Sequence, residues 1–94
     1  MKVSKENYNK IKKAIQIFLN ENKIENANYY DINNIHFVLC LNERQPNNIN
    51  SINLRKKYKV NIKNYFTDYY LSNNSLNDNH IYTVLNKILK EINQ

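Results

Sequence analysis

The most restrictive feature of this 94-residue sequence is that it contains no glycine. Glycine is the residue that adopts left-handed and strained backbone conformations without a steric cost. Phosphate-binding loops, the dinucleotide-binding fingerprint, the calcium-binding loop of EF-hands and the nucleophile elbow of hydrolases all depend on it. The sequence therefore excludes these sites, and we expect asparagine to take the left-handed position that glycine usually occupies after a helix.

The length and charge of the chain limit its organisation and its partners. We expect a single domain, residues 1–94, with a modest core. Fourteen Lys and Arg against eight Asp and Glu give a net charge of +6, which favours nucleic acid, an acidic protein or an anionic surface as the partner. Cys40, the single cysteine, indicates a reducing environment. Without a membrane-spanning or signal segment, we expect a cytoplasmic protein with no membrane partner.

Three segments show the three-four apolar spacing of amphipathic helices. The first extends from Ser4, a predicted N-cap, to about residue 22. The second covers residues 54–71 after a basic start, and the third carries a very regular apolar stripe over residues 81–92. Asn77 or Asp78 is the predicted N-cap of this last helix.

The apolar run at residues 35–41 is compatible with a buried helix or a buried strand. We favour a helix capped by Asp31 or Asn33, because no second strand is evident that would pair with a first one. Residues 42–53, around the only proline, are predicted to form a loop. The predicted fold is an all-α bundle of three to four helices, and the alternative is an α+β fold with a short strand at 35–41.

The densest concentration of charge lies between residues 55 and 63, where five cations occur without an acid and tyrosines interrupt or follow them. On a helix, Arg55, Lys59 and Lys63 would share one face. Cations neutralise phosphates and tyrosine rings stack on bases, as binding to single-stranded nucleic acid requires. The alternative is a solvated basic face over a tyrosine-lined core. The predicted partner-binding or nucleic-acid-binding residues are Arg55, Lys56, Lys57, Tyr58, Lys59, Lys63, Tyr65 and Tyr69.

Eight tyrosines exceed what so small a core can bury, so we expect several at the surface. Exposed tyrosine beside cations is typical of binding surfaces. The candidates are Tyr29, Tyr30, Tyr58, Tyr65, Tyr69, Tyr70 and Tyr82.

The sequence contains few candidates for catalytic or metal-binding residues. Asp78 and His80 invite an acid–base hypothesis, but the favoured interpretation is that Asp78 caps the last helix and His80 packs locally. His36, inside the apolar run, is expected in the core or in an interface. The two histidines and one cysteine lack the spacing of a zinc site. We therefore predict a protein that is not an enzyme, with no catalytic residues, no cofactor and no metal.

The segment from Leu76 to Leu85, together with the basic stretch at 57–61, resembles a family of small uncharacterised phage proteins. Their basic-aromatic segment precedes a Leu-Asn-Asp-x-His-Ile-x-Thr-Ala-Leu helix start. The residues that match this pattern are Asn77, Asp78, His80, Ile81, Thr83 and Leu85. Val60 and Asn61 stand where the family tends to have Trp and Asp. The resemblance implies a phage or prophage origin and a compact helical fold.

Basicity, exposed tyrosine and the implied phage origin lead to two functional expectations. The first is an inhibitor of a bacterial defence system, such as an RNA-guided CRISPR nuclease, that docks its basic and tyrosine surface on an acidic or guide-RNA-bound region of the effector. The alternative is a small nucleic-acid-binding accessory protein, in which the same residues hold phosphates directly.

Overall fold

The structure is a computed structural model that describes residues 4–40, 47–62 and 80–94. Within them the chain forms four helices: α1 (Lys5–Glu21), α2 (Tyr29–Leu39), α3 (Ile49–Lys57) and α4 (Ile81–Ile92). The described residues contain no β-strand. The prediction of a small all-α bundle is confirmed, and the alternative of a strand at 35–41 is wrong because α2 continues to Leu39.

Helix α2 lies at the centre of the bundle and contacts α1, α3 and α4. The core includes its buried apolar face, the apolar stripes of α1 and α4, and Leu54 of α3. The side chains that are almost completely inaccessible include Ile11, Ile15, Phe18, Ile32, Ile35, Leu39, Leu54, Leu85 and Ile88. None of the helices in the described segments has the length and apolarity needed to cross a bilayer.

The first helix begins as expected and ends with an unexpected residue. Ser4 caps α1 by accepting a hydrogen bond from the backbone N–H of Asn7 at 3.1 Å. After the helix, Lys23 adopts a left-handed φ of 54°. The N–H of Lys23 reaches Asn20 O at 3.3 Å, and that of Ile24 reaches Leu19 O at 2.9 Å, which is a Schellman motif. Lysine, not asparagine, therefore holds the left-handed position at this helix end.

The N-cap of α2 lies three residues before the nearer of the two predicted caps, Asp31. Asn28 is the N-cap, and its side chain accepts the N–H of Asp31 at 2.9 Å. The Asp31 carboxylate accepts the N–H of Asn28 at 3.0 Å in return, which completes a capping box. The prediction that Asp31 or Asn33 is the cap is therefore wrong, because Asp31 occupies the third helical position instead.

Helix α3 corrects two predictions. It begins inside the predicted loop, because Asn48 caps it by accepting the N–H of Asn50 at 2.8 Å. It ends at Lys57, where Tyr58 turns to an extended conformation with φ −132° and ψ 155°. A continuous helix over 54–71 is therefore wrong at Tyr58, and residues 63–71 lie outside the described residues. Consequently Arg55 and Lys59 do not share a helical face.

Helix α4 carries the apolar stripe that the sequence predicts, with Ile81, Val84, Leu85 and Ile88 buried. Its N-cap residue is His80, which makes no side-chain capping hydrogen bond. The predicted caps Asn77 and Asp78 lie outside the described residues.

We predict that Lys23→Gly raises the free energy of unfolding by about 0.5 to 1 kcal/mol, because glycine removes the steric cost of a left-handed side-chain-bearing residue. Lys10→Gly is the control, since Lys10 is exposed within α1 and glycine there is expected to cost about 1 kcal/mol. Urea denaturation of the three proteins measures both effects. A destabilised Lys23→Gly variant would contradict the Schellman geometry.

His36 makes the stability of the bundle depend on pH. It is 1% exposed, and burial lowers its pKa from 6.5 to about 4. The unfolded chain therefore binds the proton more readily than the folded one, so stability is full above about pH 6.5 and falls as the pH is lowered towards about 4. We predict a loss of about 2–3 kcal/mol between about pH 7 and about pH 4.5.

The variant His36→Leu is expected to be largely free of this pH dependence in denaturation curves. His80→Gln, which removes the other histidine from a partly exposed helix end, is expected to retain it. An unchanged pH dependence in His36→Leu would assign the acid sensitivity to other groups.

Candidate binding surface

The predicted basic and aromatic residues divide into three sets. Arg55, Lys56 and Lys59 are exposed at the end of α3 and just beyond it. Lys57 and Tyr58 form hydrogen bonds with Asp31. The remaining three, Lys63, Tyr65 and Tyr69, lie outside the described residues. The binding role of the whole set stays a prediction.

Lys57 and Tyr58 converge on the carboxylate of Asp31, which is 4% exposed. The ammonium group of Lys57 lies 3.1 and 3.0 Å from Asp31 Oδ1 and Oδ2, and the hydroxyl of Tyr58 donates to Oδ2 at 2.8 Å. The N–H of Asn28 donates to the same oxygen at 3.0 Å. This carboxylate therefore joins the beginning of α2 to the end of α3.

The ionisation of this cluster follows from its contacts. Burial opposes the charge of Asp31, but the hydrogen bonds from Asn28, Tyr58 and Lys57 outweigh it and lower the pKa of the carboxyl. The pKa of Tyr58 is raised, by burial first and then by its hydrogen bond to Asp31. The hydrogen bond to Asp31 raises the pKa of Lys57. At neutral pH the cluster thus holds one carboxylate, one ammonium and one neutral phenol.

The positive charge of Lys57 is therefore compensated within the protein, although its side chain is half exposed. Arg55, Lys56 and Lys59 differ from it, because no carboxylate in the described part of the chain pairs with them. These three residues carry the uncompensated charge at this end of the molecule.

A cluster of three tyrosines joins α2 to α4. The ring of Tyr29 lies 5.6 Å from that of Tyr30 in an edge-on arrangement and 5.1 Å from that of Tyr82. Tyr30 and Tyr82 are 73% and 67% exposed, whereas Tyr29 is partly buried between them. Burial raises the pKa of Tyr29, and the two neighbouring tyrosines add to the effect. The cluster therefore presents two largely exposed aromatic rings packed against a third.

The aromatic cluster and the basic residues are connected through Asp31, which follows Tyr30 in α2 and binds Lys57 at the end of α3. We define the tyrosine–lysine surface as Tyr29, Tyr30, Tyr82, Arg55, Lys56 and Lys59. The eight predicted binding residues do not include its three tyrosines, although the sequence predicts them among the candidates for exposure, and Tyr30 and Tyr82 are exposed as expected. Tyr30 lies off the apolar face of α2, and Tyr82 lies off the apolar stripe of α4.

The two histidines were the remaining candidates for acid–base or metal chemistry. His80 is partly buried at the start of α4, while its proposed partner Asp78 lies outside the described residues. His36 is in the core as expected, with Nε2 at 3.6 Å from the Sγ of Cys40. Among residues 4–40, 47–62 and 80–94, no group of three His, Cys, Asp or Glu side chains is arranged to hold a metal ion.

We predict that Asp31→Asn lowers the free energy of unfolding by about 2 kcal/mol, because an amide cannot accept from all the donors that the carboxylate binds. Glu25→Gln, which removes one exposed carboxylate from the connection before α2, is the control and is expected to be neutral. Lys57→Met is expected to cost less than Asp31→Asn, because Lys57 is half exposed. Thermal and urea denaturation measure all three, and an Asp31→Asn variant as stable as the control would contradict a structural role for this carboxylate.

Comparison with known proteins identifies no relative: no protein-family model, curated protein or solved structure matches this chain. The function is therefore argued from the surface itself.

Proposed function

We propose that the protein is a non-enzymatic inhibitor of a bacterial defence system, which binds an effector nuclease or its guide-RNA complex through the tyrosine–lysine surface. The observation that carries the proposal is the three-tyrosine cluster, in which Tyr30 and Tyr82 are largely exposed, and uncompensated cations at the end of α3 accompany it. The expected phage origin supplies the kind of target, and the surface supplies the mode of binding.

The tyrosine cluster has the properties of an interface centre. Tyr30 and Tyr82 are largely exposed, but each ring packs against the ring of Tyr29. Binding to a partner therefore orders few additional rotatable bonds. Tyrosine and arginine are enriched among residues that contribute most to binding, since they bury a large apolar area and retain a polar group. The cluster is therefore suited to fill a depression on a partner.

The basic residues favour a partner with negative potential. Arg55, Lys56 and Lys59 are exposed at the end of α3 and just beyond it, and their charge is uncompensated in the described part of the chain. With a net charge of +6, the protein as a whole is attracted to an acidic protein surface or to bound RNA. Such complementarity mainly raises the association rate and selects the orientation of docking.

The second candidate function is a nucleic-acid-binding accessory protein, and the same surface favours it by a different chemistry. Exposed tyrosine rings stack on unpaired bases, and adjacent cations contact phosphates. In that case binding weakens steeply with salt, because each phosphate contact releases counterions. An interface centred on tyrosine contacts with a protein depends less on salt.

We predict that the tagged protein captures one bacterial defence nuclease in near-stoichiometric amount from a bacterial lysate, with capture surviving nuclease treatment. The captured nuclease is then purified, and its target cleavage is measured with and without the protein. Inhibition at equimolar ratio is the expected result. Recovery of bulk nucleic acid that disappears with nuclease or moderate salt would support the accessory function instead.

Matched variants locate the interface. Tyr30→Ala with Tyr82→Ala is expected to reduce inhibition more strongly than charge reversal of Arg55, Lys56 and Lys59. Ile49→Ala is the control for the tyrosines, since Ile49 is also a large, exposed side chain. Equal effects of the tyrosine variant and the Ile49 control would exclude the tyrosine–lysine surface as the site of inhibition.

A further inference from the structure

A concave surface lies between α1 and α4, on residues that the tyrosine–lysine surface does not use. Lys5, Tyr8 and Lys12 follow one another along one face of α1, and Thr83 and Lys87 face them from α4. The spacing of three to four residues on both helices explains why these side chains share one cleft. Its volume is about 650 Å³.

The single acid of the cleft is compensated within the protein. Glu91 accepts a hydrogen bond from the hydroxyl of Tyr8 and lies 3.3 Å from the ammonium group of Lys12. The hydrogen bond from Tyr8 lowers the pKa of Glu91, burial opposes this, and Lys12 and Lys87 add to the lowering. Burial and the bond to Glu91 raise the pKa of Tyr8, so its phenol stays protonated. One end of the cleft is thus closed by a charge-neutral contact.

The rest of the cleft is positive. Lys5 and Lys87 have no carboxylate within ion-pair distance in the described part of the chain. The ammonium group of Lys87 lies 4.8 Å from the centre of the Tyr8 ring, so a cation–π contact keeps it over the cleft. Three lysines against one glutamate leave two positive charges on this surface.

Two further groups suit an oxygen-rich ligand. Thr83 offers an exposed hydroxyl from the first turn of α4, and Asn9 offers an amide from α1. The beginning of α4 adds the positive end of a helix dipole to the charge of the lysines. Val84 and the ring of Tyr8 supply an apolar part of the wall.

We infer that this cleft binds the phosphate group of a small organic phosphate of about mononucleotide size. A phosphate monoester carries a charge close to −2 and three acceptor oxygens, which match two uncompensated lysines and nearby hydroxyl and amide donors. The volume lies within the range of small-molecule sites, about 300–1,000 Å³. The apolar part of the wall accommodates the organic portion of the ligand.

The inference is tested by isothermal titration calorimetry of the whole protein at low ionic strength with adenosine 5′-monophosphate, adenosine and inorganic phosphate. We expect the monophosphate to bind with a dissociation constant of about 1 mM or lower, inorganic phosphate to bind more weakly, and adenosine not to bind. Absence of monophosphate binding at about 10 mM would overturn the inference.

Two double variants with equal net charge separate the cleft from general electrostatics. Lys5→Gln with Lys87→Gln is expected to weaken monophosphate binding at least about tenfold. Lys10→Gln with Lys90→Gln removes two exposed lysines of the same helices that do not line the cleft, and is expected to keep the affinity. Equal losses in the two variants would overturn the inference. Melting temperatures confirm that both variants are folded.

A short oligothymidylate without a terminal phosphate distinguishes the source of the phosphate. Weaker binding of this oligonucleotide than of the monophosphate is the expected result, and tighter binding that Lys5→Gln with Lys87→Gln abolishes would assign the cleft to a nucleic-acid backbone instead. The tyrosine double variant Tyr30→Ala with Tyr82→Ala is expected to retain monophosphate binding, because neither residue lines the cleft. Failure of this inference therefore leaves the proposed function intact.

Discussion

The buried carboxylate of Asp31 is the interaction on which the arrangement of the bundle depends. A carboxylate taken out of water destabilises the fold unless donors replace its hydration. Here a backbone N–H, a phenol and an ammonium group replace it, each from a different residue. Because these donors come from the beginning of α2 and the end of α3, compensating one charge also fixes the relative position of two helices. Both parts of the tyrosine–lysine surface are attached to this junction.

The same carboxylate explains why sequence patterns predicted a helix at α2 but not the end of α3. Ile32, Ile35 and Leu39 fit one buried helical face, and the lack of an evident second strand favoured a helix over a strand there. The end of α3 follows from a long-range contact instead: Tyr58 becomes extended where its hydroxyl reaches Asp31, 27 residues earlier. No local pattern contains that information. The spacing Asn28-x-x-Asp31 does indicate a capping box, and it was the available signal for the start of α2.

In the absence of glycine, two of the described residues adopt left-handed backbone conformations, and only one of them is an asparagine. The prediction that asparagine takes the left-handed position after a helix is wrong at the end of α1, but Asn26 in the connection to α2 adopts this conformation at φ 58°, which asparagine tolerates. At Lys23 a residue without that tolerance occupies it, because the Schellman hydrogen bonds and the burial of Ile24 outweigh the steric cost. Tertiary burial of the following residue decides this position, and a propensity scale applied to Lys23 alone gives the opposite answer.

The location of the acids determines where the net charge of this protein acts. The carboxylate of Asp31 pairs with Lys57, and that of Glu91 contacts Lys12 and Tyr8. Two of the acids therefore compensate cations within the protein. Uncompensated positive charge then stands at the end of α3 and in the cleft between α1 and α4, besides other exposed lysines. A list of basic residues along the sequence does not separate these roles, since Lys56 and Lys57 are neighbouring lysines. The pairing of Lys57 with Asp31 and of Lys12 with Glu91 is a property of the fold, and it decides which cations keep their charge free for a partner.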